Sequence, residues 1–207
     1  MEDEKFQKAI LRLKIHEPIQ YIIGETEFYG LPFKVNKHTL IPRPETEELV
    51  EWIYSEFSNQ QSTINNQQFL DIGTGSGCIA ISLAKYLPNS KVSALDISEE
   101  ALKIARENAE TNKVEVDFFQ KDILAAETLP KKYDVIISNP PYVRELEKKQ
   151  MQQNVLKHEP ESALYVGNED PLLFYRTISR LAKNHLNPNG KLFFEINEYL
   201  AYELTDL

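Results

Sequence analysis

The sequence predicts an α/β fold in which a mainly parallel sheet is covered by helices, and three observations support this. Short apolar runs alternate with amphipathic stretches from residue 69 onward, the pattern of parallel strands joined by helices. A glycine-rich turn follows the first run, and polar residues follow the next three runs. The predicted strands lie near 68–72, 91–95, 114–119, 133–138 and 190–196, and the predicted helices near 77–86, 98–111 and 171–185.

A short helix and a β-hairpin are expected before the sheet. Apolar residues at helical spacing predict a helix over residues 2–15. Residues 18–24 and 27–35 predict two short strands joined by glycine turns. Pro44 suits the first position of a further helix, whose acidic first turn complements the positive end of the helix dipole.

The composition is that of an ordinary globular protein. With 207 residues the chain can bury a sizeable core in one main domain. No run approaches the 18 apolar residues of a membrane span, and the start lacks the layout of a signal peptide. Cys78 has no second cysteine to pair with, which fits a reducing cytosol. The net charge of -9 argues against binding nucleic acid through its phosphates. We therefore expect a cytoplasmic protein that binds neither membrane nor nucleic acid directly.

The glycine-rich segment 69–78 links the first predicted strand to the first helix of the sheet. Its glycines are spaced G-x-G-x-G, whereas a dinucleotide site has G-x-G-x-x-G. Glycines permit a close approach of the backbone to a ligand, although a turn needed only for packing is the alternative. The segment resembles motif I of S-adenosylmethionine (AdoMet) methyltransferases. The resemblance implies that AdoMet is bound here by Asp71, Gly73, Thr74, Gly75, Ser76 and Gly77.

Two acids follow the next two predicted strands. Asp96 ends the second strand, where a carboxylate can accept hydrogen bonds from both hydroxyl groups of a ribose. Asp122 follows the third strand, and the resemblance implies that Asp122 and Ile123 lie beside the adenine. Either acid alone is most often a solvated loop residue, but their joint spacing with the glycine turn favours a cofactor site.

The fourth predicted strand ends in Asn139, Pro140, Pro141 and Tyr142. These residue types suit the binding of a planar –NH2 group, because the Asn139 side-chain oxygen and the Pro140 carbonyl can each accept one N–H, while Tyr142 offers an aromatic wall. A loop with a helix-capping Asn is the alternative. The four histidines are scattered, and we find no metal cluster or catalytic triad, so the histidines are interpreted as structural or solvated.

Several segments together resemble the PrmC/HemK family of release factor glutamine methyltransferases. They span nearly the whole chain from residue 16 and comprise Pro18–Gly24, Phe28–Gly30, Ile41–Thr46, the glycine turn, Asn139–Tyr142, Glu159–Leu164 and Phe193–Ile196. The family implies a Rossmann-like class I AdoMet-dependent methyltransferase. Its implied substrate is the glutamine of the Gly-Gly-Gln loop of class-one peptide-chain release factors. The implied catalytic residues are Asn139, Pro140 and Tyr142, and the implied substrate-binding residues add Pro141, Arg43 and Glu45. Asn139 is implied to contact the cofactor as well.

The resemblance also sets expectations for domain organisation. Residues 1–17 are expected to be the remnant of an N-terminal helical domain, residues 18–40 a β-hairpin linker, and residues 41–207 a methyltransferase domain that is incomplete at its C-terminus. Residues 143–170 lack a clear period, and we expect a mobile segment that faces the substrate. Two alternatives stay open: an adenine-specific DNA or RNA amino-methyltransferase, and an inactive AdoMet-binding fragment.

Overall fold

The computed structural model describes residues 2–58, 66–150 and 153–207. Its strands are β1 (Glu25–Phe28), β2 (Leu31–Lys34), β3 (Gln68–Ile72), β4 (Lys91–Asp96), β5 (Asp117–Gln120), β6 (Tyr133–Ser138), β7 (Val143–Arg144), β8 (Tyr165–Val166) and β9 (Leu186–Phe194). Five of them form a parallel sheet in the order β5-β4-β3-β6-β9. The predicted α/β architecture with a mainly parallel sheet is therefore confirmed.

The helices are α1 (Glu2–Lys14), α2 (Ile19–Ile23), α3 (Pro44–Ser58), α4 (Cys78–Tyr86), α5 (Glu99–Asn112), α6 (Gln153–His158), α7 (Glu161–Leu164), α8 (Leu173–His185) and α9 (Ala201–Thr205), with 3-10 turns at Glu145–Gln150 and Glu198–Leu200. Within the described ranges, no helix has the length and apolar character needed to cross a membrane. Ser98 caps α5 by accepting from the Ala101 N–H at 3.1 Å. The helix predicted from Pro44 is confirmed, and it begins at that residue.

The strand predicted over residues 18–24 is wrong, because this segment forms the helix α2. Pro18 precedes the helix, and its carbonyl accepts from the N–H groups of Tyr21 and Ile22. Gly24 ends the helix in the left-handed conformation, with φ of 87°. A proline at the start and a glycine just past the end are typical of helices, but five residues are too few to show a helical period. The strand predicted over residues 27–35 is wrong as a single strand, because Tyr29 and Gly30 form a turn within it. A hairpin is present, but β1 and β2 pair across this turn and residues 18–24 take no part in it.

The core lies on both faces of the parallel sheet. Along β3, Phe69 contributes to one core and Leu70 to the other, and along β6 Val135 and Ile136 divide in the same way. All four are fully buried. Because side chains alternate between the faces of a strand, two consecutive apolar residues can serve two cores. The first core joins α3, α4 and the hairpin to the sheet, and the second joins α8.

The hairpin is anchored to α5 by buried asparagines. Asn108 accepts from the Lys34 N–H at 2.7 Å and donates to the carbonyls of Lys34 and Ser76 at 3.0 and 2.9 Å. Asn112 donates to the Pro32 carbonyl at 2.9 Å. Asn108 thereby connects the hairpin with the glycine-rich turn through one side chain.

Gly77 lies at the start of α4 and packs against Ala105 of α5. Its φ is 84°, and a Cβ at this position would stand 2.8 Å from the Ile81 Cδ1 and 3.2 Å from the Ala105 Cβ. Ala105 is completely buried in α5 and has no flexible atoms that can move aside. Gly77 is therefore required by packing as well as by backbone conformation.

We expect Gly77→Ala to lower the free energy of unfolding by about 2–5 kcal/mol, since it adds a steric clash to a left-handed backbone. Gly73→Ala is the matched control, because Gly73 also has positive φ but a Cβ there meets nothing within 4 Å. Its cost should be about 1–2 kcal/mol from backbone strain alone. Urea unfolding measures both, and equal losses would contradict the packing role of Gly77.

Candidate active site

A cavity of about 430 Å³ opens at the carboxyl ends of the parallel strands. Its lining includes Gly73 and Gly75 after β3, Asp96 at the end of β4, Asp122 after β5 and Asn139 after β6. Residues 160–167 form a further wall. The carboxyl edge of an open parallel sheet is where such proteins bind ligands, and the predicted residues at four strand ends meet there.

The glycine-rich turn forms the floor of this cavity. Gly73 and Gly75 have φ of 77° and 55°, and the space beside each is open at the position of a Cβ. The backbone can therefore approach a ligand closely at both residues. Thr74 donates to the Asp71 carboxylate at 2.6 Å, and both side chains are buried.

Asp96 is fixed at the end of β4 by the backbone. Its Oδ2 accepts from the Gly75 N–H at 2.9 Å, and its Oδ1 accepts from the Ser98 N–H at 2.9 Å. Burial raises the pKa of Asp96, and the backbone hydrogen bonds from Ser98 and Gly75 oppose this rise. Each carboxylate oxygen keeps a lone pair for a further donor, so the group suits a pair of ligand hydroxyls.

The wall between β4 and α8 is mainly apolar. Ile97, Ile123 and Phe174 line it, and Ile123 is buried while Ile97 is exposed at the mouth. Asp122 lies beside them, and its Oδ1 accepts from the Leu124 N–H at 2.9 Å. An apolar slot with one carboxylate at its rim suits a planar heterocycle that carries an amino group.

The side chain of Asn139 belongs to a hydrogen-bonded chain that links three elements. Its Nδ2 donates to the Thr46 Oγ1 at 3.2 Å. Thr46 in turn donates to the Glu195 Oε2 at 2.6 Å, and the Tyr142 hydroxyl donates to the Glu195 Oε1 at 3.0 Å. Asn139, Pro140 and Pro141 line the cavity. Tyr142 lies behind that wall, where burial and secondarily Glu195 raise its pKa.

Arg43 pairs with a buried carboxylate that holds the 160–167 wall. Its guanidinium lies 2.7 Å from the Glu159 Oε1, and the Ile41 N–H donates to the Glu159 Oε2 at 3.2 Å. The Glu159 side chain is 1% exposed. The segment before α3 is thereby tied to the wall that begins at Pro160.

The predicted site residues fall into two groups. The cavity-lining group is Gly73, Gly75, Asp96, Asp122, Ile123, Asn139, Pro140 and Pro141. The remaining predicted residues lie outside the lining of this cavity. Asp71 is in β3, Thr74, Ser76 and Gly77 are in the glycine turn, and Tyr142 follows the cavity-lining prolines. Arg43 contacts Glu159, and Glu45 is exposed in the first turn of α3. Their roles in binding stay predictions.

Sequence reasoning did not assign roles to Thr46, Glu159 and Glu195. Each lies in a segment that carries the family resemblance, and this resemblance is the sequence signal that could have pointed to them. In the described ranges, no group of three potential metal ligands is found. His38 lines the cavity, whereas His158 contacts the Ile15 carbonyl and His185 contacts the Leu181 carbonyl.

Residues 143–170 contain more regular structure than the sequence suggested. β7 and β8 pair in parallel, and short helices lie between them. Pro160, Ala163 and Val166 face the cavity. Residues 160–167 therefore form a wall of the cavity. The described elements of residues 143–170 are too short to give a sequence period.

The parallel sheet, the glycine-rich turn and the cavity at the strand ends define a Rossmann-like methyltransferase fold. The profile of the Methyltransferase small domain family matches residues 53–169. A methyltransferase of known structure from Pyrococcus furiosus superposes with a TM-score of 0.58 at 22% identity, covering 97% of this chain and 83% of that one. At this identity the likeness concerns the fold alone.

Two relatives are much closer in sequence. The release factor glutamine methyltransferase of Flavobacterium psychrophilum is 56% identical over 203 residues, which is 98% of this chain and 71% of the relative. That of Bacteroides thetaiotaomicron is 52% identical over 204 residues, again 98% and 71%. The chain belongs to the release factor glutamine methyltransferase family.

We expect Glu159→Ala to destabilise the protein by about 1.5–3 kcal/mol, because it removes hydrogen bonds to a charged group and leaves Arg43 without its partner. Hydrogen exchange should rise across residues 160–167. The exposed Glu161 on the same segment gives the control Glu161→Ala. Equal exchange in both variants would show that Glu159 does not hold the wall.

A pH-dependent stability is expected from Asp71. Burial raises its pKa from 3.8 to about 7, with Asp96 adding to the rise and the Thr74 hydrogen bond opposing it. The folded state therefore binds this proton more tightly than the unfolded state, so the associated stability is present below 3.8 and is lost as pH rises to about 7.

Asp71→Asn should flatten this part of the pH profile, and its stability relative to wild type should improve from about pH 4 to pH 7. Denaturant unfolding at a series of pH values measures the difference. The exposed Asp206→Asn serves as the control. Parallel profiles for wild type and Asp71→Asn would contradict the assignment.

Proposed function

We propose that this protein transfers a methyl group from AdoMet to the side-chain amide nitrogen of the glutamine in the Gly-Gly-Gln loop of class-one peptide-chain release factors. The observation that carries the proposal is the placement of Asn139 and Pro140 at the cavity wall. The Asn139 Nδ2 is engaged by Thr46, which leaves Oδ1 to accept from a bound ligand. The relatives' name, release factor glutamine methyltransferase, supports the proposed substrate.

The cavity fits AdoMet. Gly73 and Gly75 leave open space where a Cβ would project, which suits the amino-acid part of the cofactor passing over the turn. The Asp96 carboxylate suits the ribose hydroxyls, and the slot of Ile123 and Asp122 suits the adenine. When bound, AdoMet supplies a sulfonium methyl group that is open to attack by a nucleophile.

The residues of this chain act by orienting the acceptor nitrogen. An amide nitrogen is a poor nucleophile, because its lone pair is delocalised into the carbonyl. The Asn139 Oδ1 and the Pro140 carbonyl can accept its two N–H groups and hold it in one orientation. These contacts strengthen as positive charge develops on the nitrogen, which stabilises the transition state more than the ground state. Pro140 and Pro141 keep the backbone stiff at this point.

We propose that the segments around this centre receive the release factor. Arg43 and Glu45 lie at the start of α3, close in sequence to Thr46, and Tyr142 supports the wall from behind. The proposal includes a cytoplasmic location with release factors as partners, since translation termination takes place there. The division at residues 17 and 40 into a helical remnant, a linker and a methyltransferase domain is part of the same proposal.

Methyl transfer from labelled AdoMet to a purified class-one release factor tests this function. We expect label on the intact factor and none when its loop glutamine is replaced by alanine. Asn139→Ala should lower kcat/KM by about 10²–10³-fold, the usual cost of losing one such stabilising group. The exposed Asn184→Ala is the matched control and should retain activity.

Binding of AdoMet, measured by calorimetry, separates a lost acceptor contact from a lost cofactor site. Label that appears on an adenine-containing oligonucleotide, and not on the release factor, would overturn the proposed substrate. Bound AdoMet without transfer to either acceptor would favour a binding fragment instead.

A further inference from the structure

We infer that Thr46 and Glu195 are positioning residues that set the orientation of the Asn139 side-chain amide for the acceptor. This inference rests on the proposed function and extends it to two side chains outside the cavity lining. The two residues are 149 positions apart in the chain, yet their side chains lie 2.6 Å apart. Neither would contact the acceptor nitrogen, so both would act through Asn139.

The directions of the hydrogen bonds follow from the donors available. The Tyr142 hydroxyl donates to one oxygen of Glu195, and the Thr46 hydroxyl donates to the other. A carboxylate has no proton to give back, so the single proton of Thr46 is committed to Glu195. The Thr46 Oγ1 can then only accept from Asn139, and the group at 3.2 Å must be the amide –NH2.

This assignment determines which end of the Asn139 amide faces the acceptor. With –NH2 directed at Thr46, Oδ1 is the end that accepts an N–H from the substrate. A flipped amide would place Oδ1 against the lone pairs of Thr46 and would present –NH2 to the substrate –NH2. Two donors cannot bond to each other, so the flipped form cannot hold the acceptor nitrogen.

The carboxylate also makes Oδ1 a stronger acceptor. Hydrogen bonds in a series polarise one another, especially in a buried setting. Thr46 is 2% exposed, and a negative charge at Glu195 increases the electron density on its oxygen. The Asn139 N–H is polarised in turn, which places more negative charge on Oδ1.

Thr46, Asn139 and Glu195 also connect three elements of the fold at the site. Thr46 lies in α3, Asn139 follows β6, and Glu195 follows β9. The Tyr175 hydroxyl donates to the Glu195 carbonyl at 3.2 Å, which fixes the backbone at that residue. The backbone of Glu195 is therefore fixed by Tyr175 of α8, while its carboxylate fixes Thr46 and, through Thr46, Asn139.

Steady-state kinetics of Thr46→Val and Glu195→Gln test the inference. Thr46→Val keeps the shape and removes the hydroxyl, and we expect kcat for the release factor to fall about 10–100-fold, with KM for AdoMet within about threefold of wild type. Thr46→Ser should recover most of the kcat, because it restores the hydroxyl. Glu195→Gln should also lower kcat, since a –NH2 group that faces Thr46 donates to its Oγ1 and frees the Thr46 proton to turn toward Asn139.

Matched surface variants are the controls. Thr111→Val and Glu198→Gln change the same residue types at exposed positions and should leave kcat unchanged. In an Asn139→Ala background, Thr46→Val should cause no further loss, because its effect passes through Asn139. An undiminished loss in that background, or a Thr46→Ser variant as slow as Thr46→Val, would show a merely structural role.

An NMR measurement separates this inference from the proposed function. The side-chain –NH2 resonances of Asn139, assigned from their absence in Asn139→Ala, should shift in Thr46→Val and be retained in Thr46→Ser. If wild-type protein labels no release factor, the proposed function fails, and an unshifted Asn139 signal in Thr46→Val overturns the inference as well. If wild-type protein methylates the release factor and Thr46→Val has the same kcat, the inference is overturned while the proposed function stands.

Discussion

Parallel pairing of the central strands ends them at a common edge, and the cavity depends on this alignment. Ile72 of β3 lies opposite Leu95 of β4 and Ser138 of β6, so the glycine turn, Asp96 and Asn139 begin at the same level. Side chains in a strand alternate between faces, and a shift of one residue would exchange the two cores. The buried alternation along β3 and β6 therefore fixes the register, and the register places the polar residues.

Three polar side chains, of which Asn108 and Glu159 are buried and Glu195 is partly buried, attach the remaining segments to this sheet. Asn108 holds the hairpin, Glu159 holds the 160–167 wall, and Glu195 holds the residues around Asn139. A buried polar group without a partner costs free energy, so these contacts disfavour any other placement of the segments that they hold. The apolar core supplies the bulk of the stability, while these three side chains connect the hairpin, the 160–167 wall and the residues around Asn139 to their neighbours.

The sheet and half of the site could be predicted from the sequence because their signals are local. The strand near 133–138 and the acid at Asp96 are visible in apolar runs and in the residues that follow them. The pairing of Thr46 with Glu195 has no such local signal, since the contact exists only after α3 and β9 pack on the same sheet. The pairing of Arg43 with Glu159, 116 residues apart, has no local signal for the same reason. The helix at 19–23 was mistaken for a strand because one turn shows no period.

The long separation between Thr46 and Glu195 also has a consequence for the order of events during translation. The ribosome completes the glycine turn, Asp96 and Asp122 well before it reaches Glu195, and domains begin to fold as they emerge. The strands β3, β4 and β5 and the helices between them can meet while β9 is still being made. The hydrogen bonds that connect Asn139 to the Glu195 carboxylate form only when β9 has joined the sheet. A nascent chain therefore gains the part of its cavity near the glycine turn first, and the part that would hold the acceptor afterwards.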